Sequence, residues 1–325
     1  LVVPSDDEFV GAPTARMASA AAGLGGELML IHGGLVRSGA DGAAYGAPAA
    51  LVASSELWVL RCAPIAPGAP AASWTLSHPP NPAEAPSARA YHSLTPLALA
   101  PTDTIDAILY GGSAPLPTTH STVDEEAASM EPTGRFFGDV WRLQTDRAAS
   151  ASERATRRDA PVTWVRLMSA QETMLANGPA PRAAHAAAGH AYGTCCESAG
   201  CVVIFGGVDE RLRPLADLWQ FCVATSAWVE LEPPAPSGIV PDYMAAVALG
   251  AWPGPRHQHS LIALHANGSS PMLLLFGGAA VPLHAGASPL LTDGVWLLSM
   301  RTRGWMRVAP PQGRPPTSPH ISPDL

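Results

Sequence analysis

The sequence predicts an all-β protein built from four copies of one repeating unit. Two observations support this prediction. A double glycine ends a short apolar run four times, and two tryptophans follow each double glycine in the same order. Eight of the nine tryptophans occupy these two positions, and Trp252 is the exception. Landmarks that recur in one order are typical of proteins in which each repeat is a single supersecondary unit.

Each unit opens with a proline-containing turn that leads to an arginine. The arginines are Arg16, Arg89, Arg182 and Arg256. A histidine follows three residues later in all units but the first, which has Ser19 there. The histidines are His92, His185 and His259. Proline fixes φ and has no N–H for a sheet ladder, so it suits the turn before a strand. We therefore predict a first strand after each arginine and interpret the recurring arginines and histidines as structural positions.

A second strand ends at each double glycine. The pairs are Gly33–Gly34, Gly111–Gly112, Gly206–Gly207 and Gly277–Gly278. The run before them is continuously apolar, as in residues 201–205, and this pattern is typical of a strand buried on both faces. Glycine permits the positive φ that a sharp turn at the strand end requires.

The third and fourth strands each carry one tryptophan. Those of the third strand are Trp58, Trp141, Trp219 and Trp296, and those of the fourth are Trp74, Trp164, Trp228 and Trp305. In three units an acidic residue lies two positions before the first tryptophan, and we interpret it as a turn-capping acid. These acids are Glu56, Asp139 and Asp217. Asp293 lies three positions before Trp296, which predicts a one-residue insertion or bulge in the fourth unit.

The order of these landmarks resembles the kelch repeat: arginine then histidine, an apolar run into Gly-Gly, an acid with tryptophan, and a second tryptophan. The resemblance implies a kelch-type β-propeller with four recognisable blades, each a four-stranded antiparallel sheet. We expect blades at about 12–77, 85–168, 178–232 and 252–309. The double glycines are 71 to 95 residues apart, more than the roughly 50 residues of a kelch unit, so large loops are inserted.

The two ends of the chain look like incomplete units. Residues 1–11 resemble the end of one blade, and residues 313–325 resemble the entry to another. We therefore expect residues 1–325 to form a single propeller that belongs to a longer chain.

Composition narrows the classes of partner. The chain has no lysine, so arginine supplies all 19 positive charges against 27 acidic residues, for a net charge of −8. This balance argues against nucleic acid or an anionic membrane surface as the main partner. No apolar run reaches the length of a membrane-spanning helix, so we expect no membrane insertion.

The sequence offers no catalytic motif. Without lysine there can be neither a Schiff-base lysine nor a P-loop. Some kelch-like propellers are copper radical oxidases, but no segment here matches their tyrosine and histidine copper site. We therefore expect a protein that is not an enzyme, with no cofactor and no metal site.

The segments after the double glycines are the candidate partner-binding loops, at about 35–54, 113–137, 208–215 and 279–291. The kelch resemblance implies that they project from the same face as the turns joining one blade to the next. The candidate residues are His120, Asp124, Glu125 and Glu126 in the second loop, and Arg211 and Arg213 in the third. Arginines on kelch loops often bind acidic peptides. The alternatives are a disordered insertion for the second loop and solvated surface charge for the third.

The five cysteines leave the compartment open. Cys62 and Cys222 follow a third-strand tryptophan by a few residues, and we expect both to be buried in strands. Cys195 and Cys196 lie close to Cys201 and could pair with it in an oxidising compartment. Asn267 heads the one glycosylation sequon, which is weak evidence for secretion. We expect a cytoplasmic or other intracellular protein, with an extracellular one as the alternative.

These observations together predict a non-catalytic scaffold for protein–protein interaction, whose partner the sequence does not identify. The propeller would present its loops to that partner as a subunit of a larger assembly. One alternative is a substrate-recognition domain of a larger enzyme or adaptor, of the phosphatase or ubiquitin-ligase type. Another is a secreted or cell-surface propeller.

Overall fold

The computed structural model describes the greater part of the chain. The described residues are 12–24, 28–37, 51–62, 72–79, 81–97, 105–115, 134–145, 162–192, 199–232, 247, 250–264, 271–280 and 291–308. The predicted partial blades at 1–11 and 313–325 lie outside them. Within this part the protein is all-β, as predicted, and its strands pair antiparallel.

Twenty-one strands form the described structure. In chain order they are β1 (Arg16–Met17), β2 (Ala20–Gly23), β3 (Leu28–His32), β4 (Leu35–Arg37), β5 (Leu51–Ala53), β6 (Leu57–Cys62), β7 (Ala72–Ser77), β8 (Ser93–Pro96), β9 (Asp106–Tyr110), β10 (Ser113–Ala114), β11 (Arg135–Phe136), β12 (Val140–Thr145), β13 (Val162–Met168), β14 (Ala186–His190), β15 (Cys201–Phe205), β16 (Leu218–Cys222), β17 (Ala227–Glu230), β18 (Ser260–Leu264), β19 (Met272–Phe276), β20 (Val295–Ser299) and β21 (Gly304–Val308).

Four four-stranded sheets follow one another along the chain. Sheet 1 has the order β2-β3-β6-β7, sheet 2 the order β8-β9-β12-β13, sheet 3 the order β14-β15-β16-β17, and sheet 4 the order β18-β19-β20-β21. Each predicted strand of each unit is therefore present, and the strands of a unit lie side by side in sequence order. Strands that follow one another in a unit pair with one another, as consecutive elements usually do, even where a long loop separates them.

Two small sheets occupy segments that the sequence predicts to be loops. β1, β4 and β5 form one, and β10 pairs with β11 in the other. The loops at 35–54 and 113–137 therefore begin and end as strands, which the sequence analysis missed. The cause is local pairing: the residue after each double glycine bonds back to the residue after the arginine of its own unit, as Leu35 pairs with Met17 and Ser113 with Ala90.

Two short helical segments complete the described structure. A 3-10 turn, Pro82–Glu84, precedes the entry to sheet 2. A helix, Ala170–Leu175, follows β13 and leads towards sheet 3. Ser169 caps this helix by accepting from the Glu172 N–H, and the Glu172 carboxylate accepts from the Ser169 N–H. This reciprocal cap explains why a helix of six residues forms at this position.

The core lies between consecutive sheets. Successive side chains of a strand point to opposite faces. In β15, Val203 and Phe205 pack against sheet 4, whereas Val202 and Ile204 pack against sheet 2. A further cluster of buried apolar residues joins sheets 1 and 2. The second strands of sheets 2 and 3 are therefore buried on both faces, as the apolar runs predict.

Sheet 4 exposes one apolar face. Ile262, Phe276 and Met306 lie on that face and are 51%, 52% and 57% exposed. The second strand of this sheet is thus buried on one face alone, and its predicted burial on both faces is wrong. One face of sheet 1 is partly exposed as well, since Met29 and Ile31 of β3 are half-buried. No described sheet lies beyond either of these two faces.

The landmarks of the repeat meet at the junctions between sheets. In the first three units, the residue before the double glycine packs edge-on against the histidine and the second tryptophan of the next unit. Tyr110 lies 5.3 Å from His185 and 4.9 Å from Trp228, measured between ring centroids. Phe205 lies 5.5 Å from both His259 and Trp305. The equivalent trio in the first junction is His32, His92 and Trp164.

Backbone hydrogen bonds repeat at the same junctions. In the first three pairs, the second glycine donates to the carbonyl of the arginine in the next unit. These N–O distances are 2.9 Å for Gly34 to Arg89, 2.8 Å for Gly112 to Arg182 and 2.9 Å for Gly207 to Arg256. The double glycine is needed because the neighbouring backbone approaches where a side chain would stand.

A matched pair of glycine substitutions tests this close approach. Gly206 has φ +63°, and a Cβ there would lie 2.6 Å from the Arg256 carbonyl oxygen. Gly277 has φ +72°, but its nearest neighbour would be 3.8 Å away. We expect Gly277→Ala to lower the free energy of unfolding by about 1–2 kcal/mol, from the positive φ alone. Gly206→Ala adds a steric clash of about 1–3 kcal/mol. Urea unfolding of both variants measures the difference, and equal losses would contradict the inter-sheet contact.

The described cysteines differ in burial, and Trp252 lies in the core. Cys222 is buried, as expected, but Cys62 ends β6 and is exposed, so the prediction of burial is wrong for that residue. Cys201 is disulfide-bonded, and Cys195 and Cys196 lie outside the described residues. Trp252 is buried in the core of sheets 3 and 4, where its indole N–H donates to the Ala216 carbonyl at 2.7 Å.

Candidate functional site

One end of the sheets brings together the strand entries and the segments that follow the double glycines. Isolated bridges connect them in sheets 2, 3 and 4: Ala90 with Ser113, Ala183 with Val208, and His257 with Ala279. We call this end the loop edge. The turns between third and fourth strands, such as residues 300–303, lie at the opposite edge because the strands are antiparallel.

Arginine, acid and tryptophan form one compact cluster at the loop edge of each of the first three sheets. In sheet 3 the two terminal nitrogens of Arg182 each donate to one oxygen of Asp217 at 2.7 Å. The Trp219 indole N–H donates to the same carboxylate at 2.7 Å, and Arg182 also donates to the Gly206 carbonyl at 3.0 Å. Arg89, Asp139 and Trp141 repeat this arrangement in sheet 2. Sheet 1 has its own version in Arg16, Glu56 and Trp58.

These contacts correct the interpretation of Glu56, Asp139 and Asp217 as turn-capping acids. Each acid pairs with the arginine of its own unit, which lies 35 to 50 residues earlier in the chain. A bidentate arginine–carboxylate pair fixes direction as well as distance. The cluster therefore locks the entry of the first strand to the start of the third.

Charge pairing dominates the electrostatics of the cluster in sheet 3. Burial alone would raise the pKa of Asp217, but the Arg182 charge and its hydrogen bonds hold that pKa below its usual value. Burial opposes the charge on Arg182, yet Asp217 raises the Arg182 pKa. Both groups remain ionised, and the Arg182 side chain is only 1% exposed. The arginine is thus committed to its own carboxylate and is not available to a ligand.

The recurring histidines are also buried. Burial, together with the nearby arginine charge, lowers the pKa of His185 to about 3, and it does the same for His32 and His259. The pKa of His92 lies well below 6.5 for the same reason. His32 Nδ1 and His92 Nε2 are 2.9 Å apart, so the two neutral rings share one hydrogen bond. In the described residues, no group of three or more potential ligands could hold a metal ion.

The loop 208–215 is held in shape by one carboxylate. Asp209 accepts hydrogen bonds from the backbone N–H groups of Arg211 and Arg213 at 2.9 Å each. Its second oxygen accepts from Arg213 Nε at 2.8 Å. Burial would raise the pKa of Asp209, but these bonds lower it. Leu212, at the tip, has φ +58° and packs towards Val208. The turn therefore has a defined conformation that comes from Asp209.

The predicted partner-binding residues divide between described and undescribed parts of the chain. Arg211 and Arg213 are both exposed at the loop edge, and Arg213 is tied to Asp209. The other candidates lie outside the described residues. These are His120, Asp124, Glu125 and Glu126. Asp209 was not among the predicted residues, although an aspartate side chain commonly accepts from the backbone N–H two residues later and so shapes a turn.

Sheet 4 departs from the other three at the loop edge. β19 and β20 pair without a register shift, so the predicted bulge at Asp293 is wrong. Gly294 occupies the position of the acid, two residues before Trp296. Arg256 is buried and donates to the Thr292 hydroxyl at 3.1 Å and the Gly277 carbonyl at 3.0 Å. No described carboxylate pairs with Arg256.

The positive charge of Arg256 is therefore not compensated by a neighbouring acid. Burial and the charge of Arg307 lower the Arg256 pKa to about 10. This value still leaves the guanidinium ionised at neutral pH, in a less favourable surrounding than that of Arg182.

Comparisons with known proteins identify no relative that assigns a function to this chain. No family model and no curated protein sequence matches this chain. Among solved structures, the chain is similar to one titled "Structure of YjhT", with 13% identity and a TM-score of 0.47. The match covers 94% of this chain and 68% of that one. It identifies neither a family nor an activity. In the part of the chain that the structure describes, no helix is long and apolar enough to cross a bilayer.

Proposed function

We propose that this chain is a non-catalytic scaffold for protein–protein interaction, a kelch-type β-propeller that binds a partner through its loop edge. The observation that carries the proposal is the loop 208–215. Asp209 fixes its conformation, and the Arg211 guanidinium stands exposed on it. By contrast, the arginines at the strand entries are buried. A preordered, exposed loop loses little conformational entropy on binding, which favours recognition.

The kelch-type propeller rests on the repeated junctions. Four four-stranded sheets follow in order, and their first strands lie beside one another, β2 by β8, β8 by β14 and β14 by β18. This arrangement is what a radial stack of blades requires. Several of the landmarks that resemble kelch repeats make the contacts between sheets: the double glycines, the histidines and the second tryptophans.

A binding role fits the distribution of ionisable groups better than a catalytic role. A catalytic centre needs titratable groups near the working pH, placed where a substrate can reach them. The histidines of this repeat are buried and stay neutral, and they occupy equivalent positions in sheets 2, 3 and 4. Symmetry of this kind supports a structural role, while the exposed loops differ from one unit to the next.

The partner that fits the loop is an acidic segment of another protein. Arg211 offers a guanidinium group that no described carboxylate pairs with, and guanidinium groups bind carboxylates with high geometric specificity. Such a partner could be a neighbouring subunit of an assembly or the substrate of an attached enzyme or adaptor.

A secreted or cell-surface scaffold is the second candidate. The disulfide at Cys201 favours it, because disulfides persist chiefly in oxidising compartments. Peptide mapping without reduction, on protein from its native source, would show whether that bond is present.

Charge reversal in the loop tests the proposed function. Arg211→Glu is expected to weaken binding of a fluorescein-labelled hexaglutamate peptide by about fivefold or more and to flatten its salt dependence, because a favourable charge contact becomes repulsive. Fluorescence anisotropy at two salt concentrations measures both effects. Arg301→Glu is the matched control, since Arg301 is an exposed arginine in a turn at the opposite edge. Equal weakening by both variants would mean that only net charge matters and would refute the loop as the binding surface.

A further inference from the structure

The first three sheets show what the cluster at the loop edge requires. A single carboxylate oxygen accepts from the arginine and from the tryptophan at once. In sheet 2, Asp139 Oδ2 accepts from Arg89 Nη2 at 3.0 Å and from Trp141 Nε1 at 2.7 Å. In sheet 3, Asp217 Oδ2 accepts from Arg182 and Trp219, both at 2.7 Å. Three donors thus converge on one planar carboxylate.

Sheet 4 has the arginine and tryptophan donors but lacks the acidic residue. Arg256 and Trp296 occupy the positions of the arginine and the tryptophan, and Gly294 replaces the acidic residue. Within the described residues, neither Arg256 Nη2 nor Trp296 Nε1 has an acceptor. Asp293 is exposed and makes no ion pair in that part of the chain. The fourth unit therefore has the arginine and the tryptophan that bind the carboxylate in the other units, but it has no acidic residue at the equivalent position.

The geometry around Gly294 supports this comparison. A Cβ on Gly294 would lie 3.1 Å from Trp296 Nε1 and 3.9 Å from Arg307 Nε. A side chain at this position would therefore point towards nitrogen donors. Arg307 adds a second positive charge beside Arg256, and the pair is not balanced by a described acid.

The equivalent position is reached by solvent in the other sheets, and Gly294 itself is half-buried. In the first three sheets the equivalent carboxylates are 43%, 16% and 21% exposed, although their arginines are buried. A carboxylate that enters from outside could thus reach the same place in sheet 4. The site also adjoins the loop 208–215, because the Arg256 N–H donates to the Leu215 carbonyl at 3.0 Å.

We propose that Arg256, Trp296 and Arg307 form a binding site for a carboxylate of a peptide ligand. The ligand carboxylate takes the position that Asp139 and Asp217 hold in their own sheets. It accepts from the Arg256 guanidinium and the Trp296 indole, and Arg307 adds attraction from one side. A planar carboxylate matches this bidentate arrangement. The inference rests on the proposed function, since it supplies an anchor for the acidic partner of the loop edge.

The carboxylate could belong to an acidic side chain or to a free chain terminus. Nuclear magnetic resonance of the indole N–H groups distinguishes them, with the Trp296 signal assigned from a Trp296→Phe variant. Acetate is the first probe, and we expect a saturable downfield shift of the Trp296 signal. Two peptides follow: one has an internal aspartate and an amidated terminus, and the other has no acidic side chain and a free terminus. The peptide that shifts the Trp296 signal identifies the source.

A substitution that restores the missing acid gives the decisive test. Gly294→Asp is expected to abolish the acetate-induced shift and to raise the thermal unfolding midpoint, because the variant supplies its own carboxylate. The Gly294 backbone lies outside the left-handed region, so a side chain there adds no backbone strain, and the Trp296 indole has to shift by a few tenths of an ångström to make room for the Cβ. Gly304→Asp is the matched control at the opposite edge and is expected to bind acetate like the unmodified protein.

Three results would overturn the inference. One is a Trp296 signal that does not respond to acetate or to either peptide at millimolar concentration. Another is a Gly294→Asp variant that titrates like the unmodified protein. The third is an equal loss of the shift in Gly304→Asp. The Arg211→Glu variant separates this inference from the proposed function, since it is expected to weaken peptide binding without changing the acetate shift.

Discussion

Replacing Arg182 with methionine is expected to lower the free energy of unfolding by about 3–5 kcal/mol. Arg182 is almost fully buried, and it is the partner that keeps Asp217 ionised in the protein interior. Methionine fills much of the same space but cannot pair with the carboxylate. The cost therefore comes from a stranded charge. Urea unfolding followed by circular dichroism measures it.

Two further variants separate the stranded charge from other effects. Arg142→Met removes the partner of Asp106 from a pair that is more open to solvent on the arginine side, and we expect a loss of roughly 1 kcal/mol. Adding Asp217→Asn to Arg182→Met removes the stranded carboxylate and keeps an acceptor for Trp219. This double variant is expected to regain about 1 kcal/mol or more. If it is as unstable as the single variant, lost packing and not charge is the cause.

Acidification from pH 7 to pH 5 is expected to destabilise the protein by roughly 2 kcal/mol for each buried histidine. The unfolded chain takes up a proton on these residues below about pH 6.5, whereas burial holds the folded-state pKa of His32, His185 and His259 at about 3. The unfolded state therefore binds more protons in this window, and stability is lost as pH falls. His92 acts in the same direction.

Urea unfolding at pH 7.5, 6 and 5 gives the slope that this linkage predicts. The slope is shallow near pH 7 and approaches about 1.4 kcal/mol per pH unit for each histidine well below pH 6.5, and His185→Gln should remove the contribution of one histidine. Glutamine can retain the hydrogen bond that His185 Nε2 makes to Ser93 at 2.9 Å. His78→Gln is the control, because His78 is exposed. Protonation of Asp139 and Asp217 lowers the free energy of unfolding only below about pH 4. A free energy of unfolding that does not change between pH 7 and 5 would therefore contradict the buried neutral histidines.

The strands of the four sheets could be predicted because their signals are local. An apolar run that stops at Gly206 is visible within about ten residues of sequence, and a tryptophan follows each double glycine in the same order, although the distance varies. The order of the strands in each sheet follows from the tendency of consecutive strands to lie side by side. For these strands, the local sequence pattern predicts the secondary structure that forms.

The partners of the ionisable groups could not be predicted from the same signals. Arg89 and Asp139 meet across 50 residues, and only the folded sheet brings them together. The role of Gly294 became visible only when its place could be compared with that of Asp217 in another unit. Side-chain chemistry at the loop edge depends on which distant residues the sheet aligns.

The sequence also did not show whether one face or both faces of a sheet are buried. β15 and β19 have the same apolar pattern, yet β15 is buried on both faces and β19 on one. The difference comes from the neighbours of each sheet, which a run of apolar residues does not encode. Cys62 shows the same limit on a smaller scale, since its position after Trp58 resembles that of the buried Cys222.

The uniformity of the three junctions has an evolutionary consequence. Each junction uses the same contacts: a glycine N–H bonded to an arginine carbonyl, and a ring packed between a histidine and a tryptophan. Duplication of one unit in the gene would therefore create a new junction from contacts that its neighbours already make. Growth of the chain by whole units needs no new complementary surface, whereas a partial insertion inside a unit would break two junctions at once.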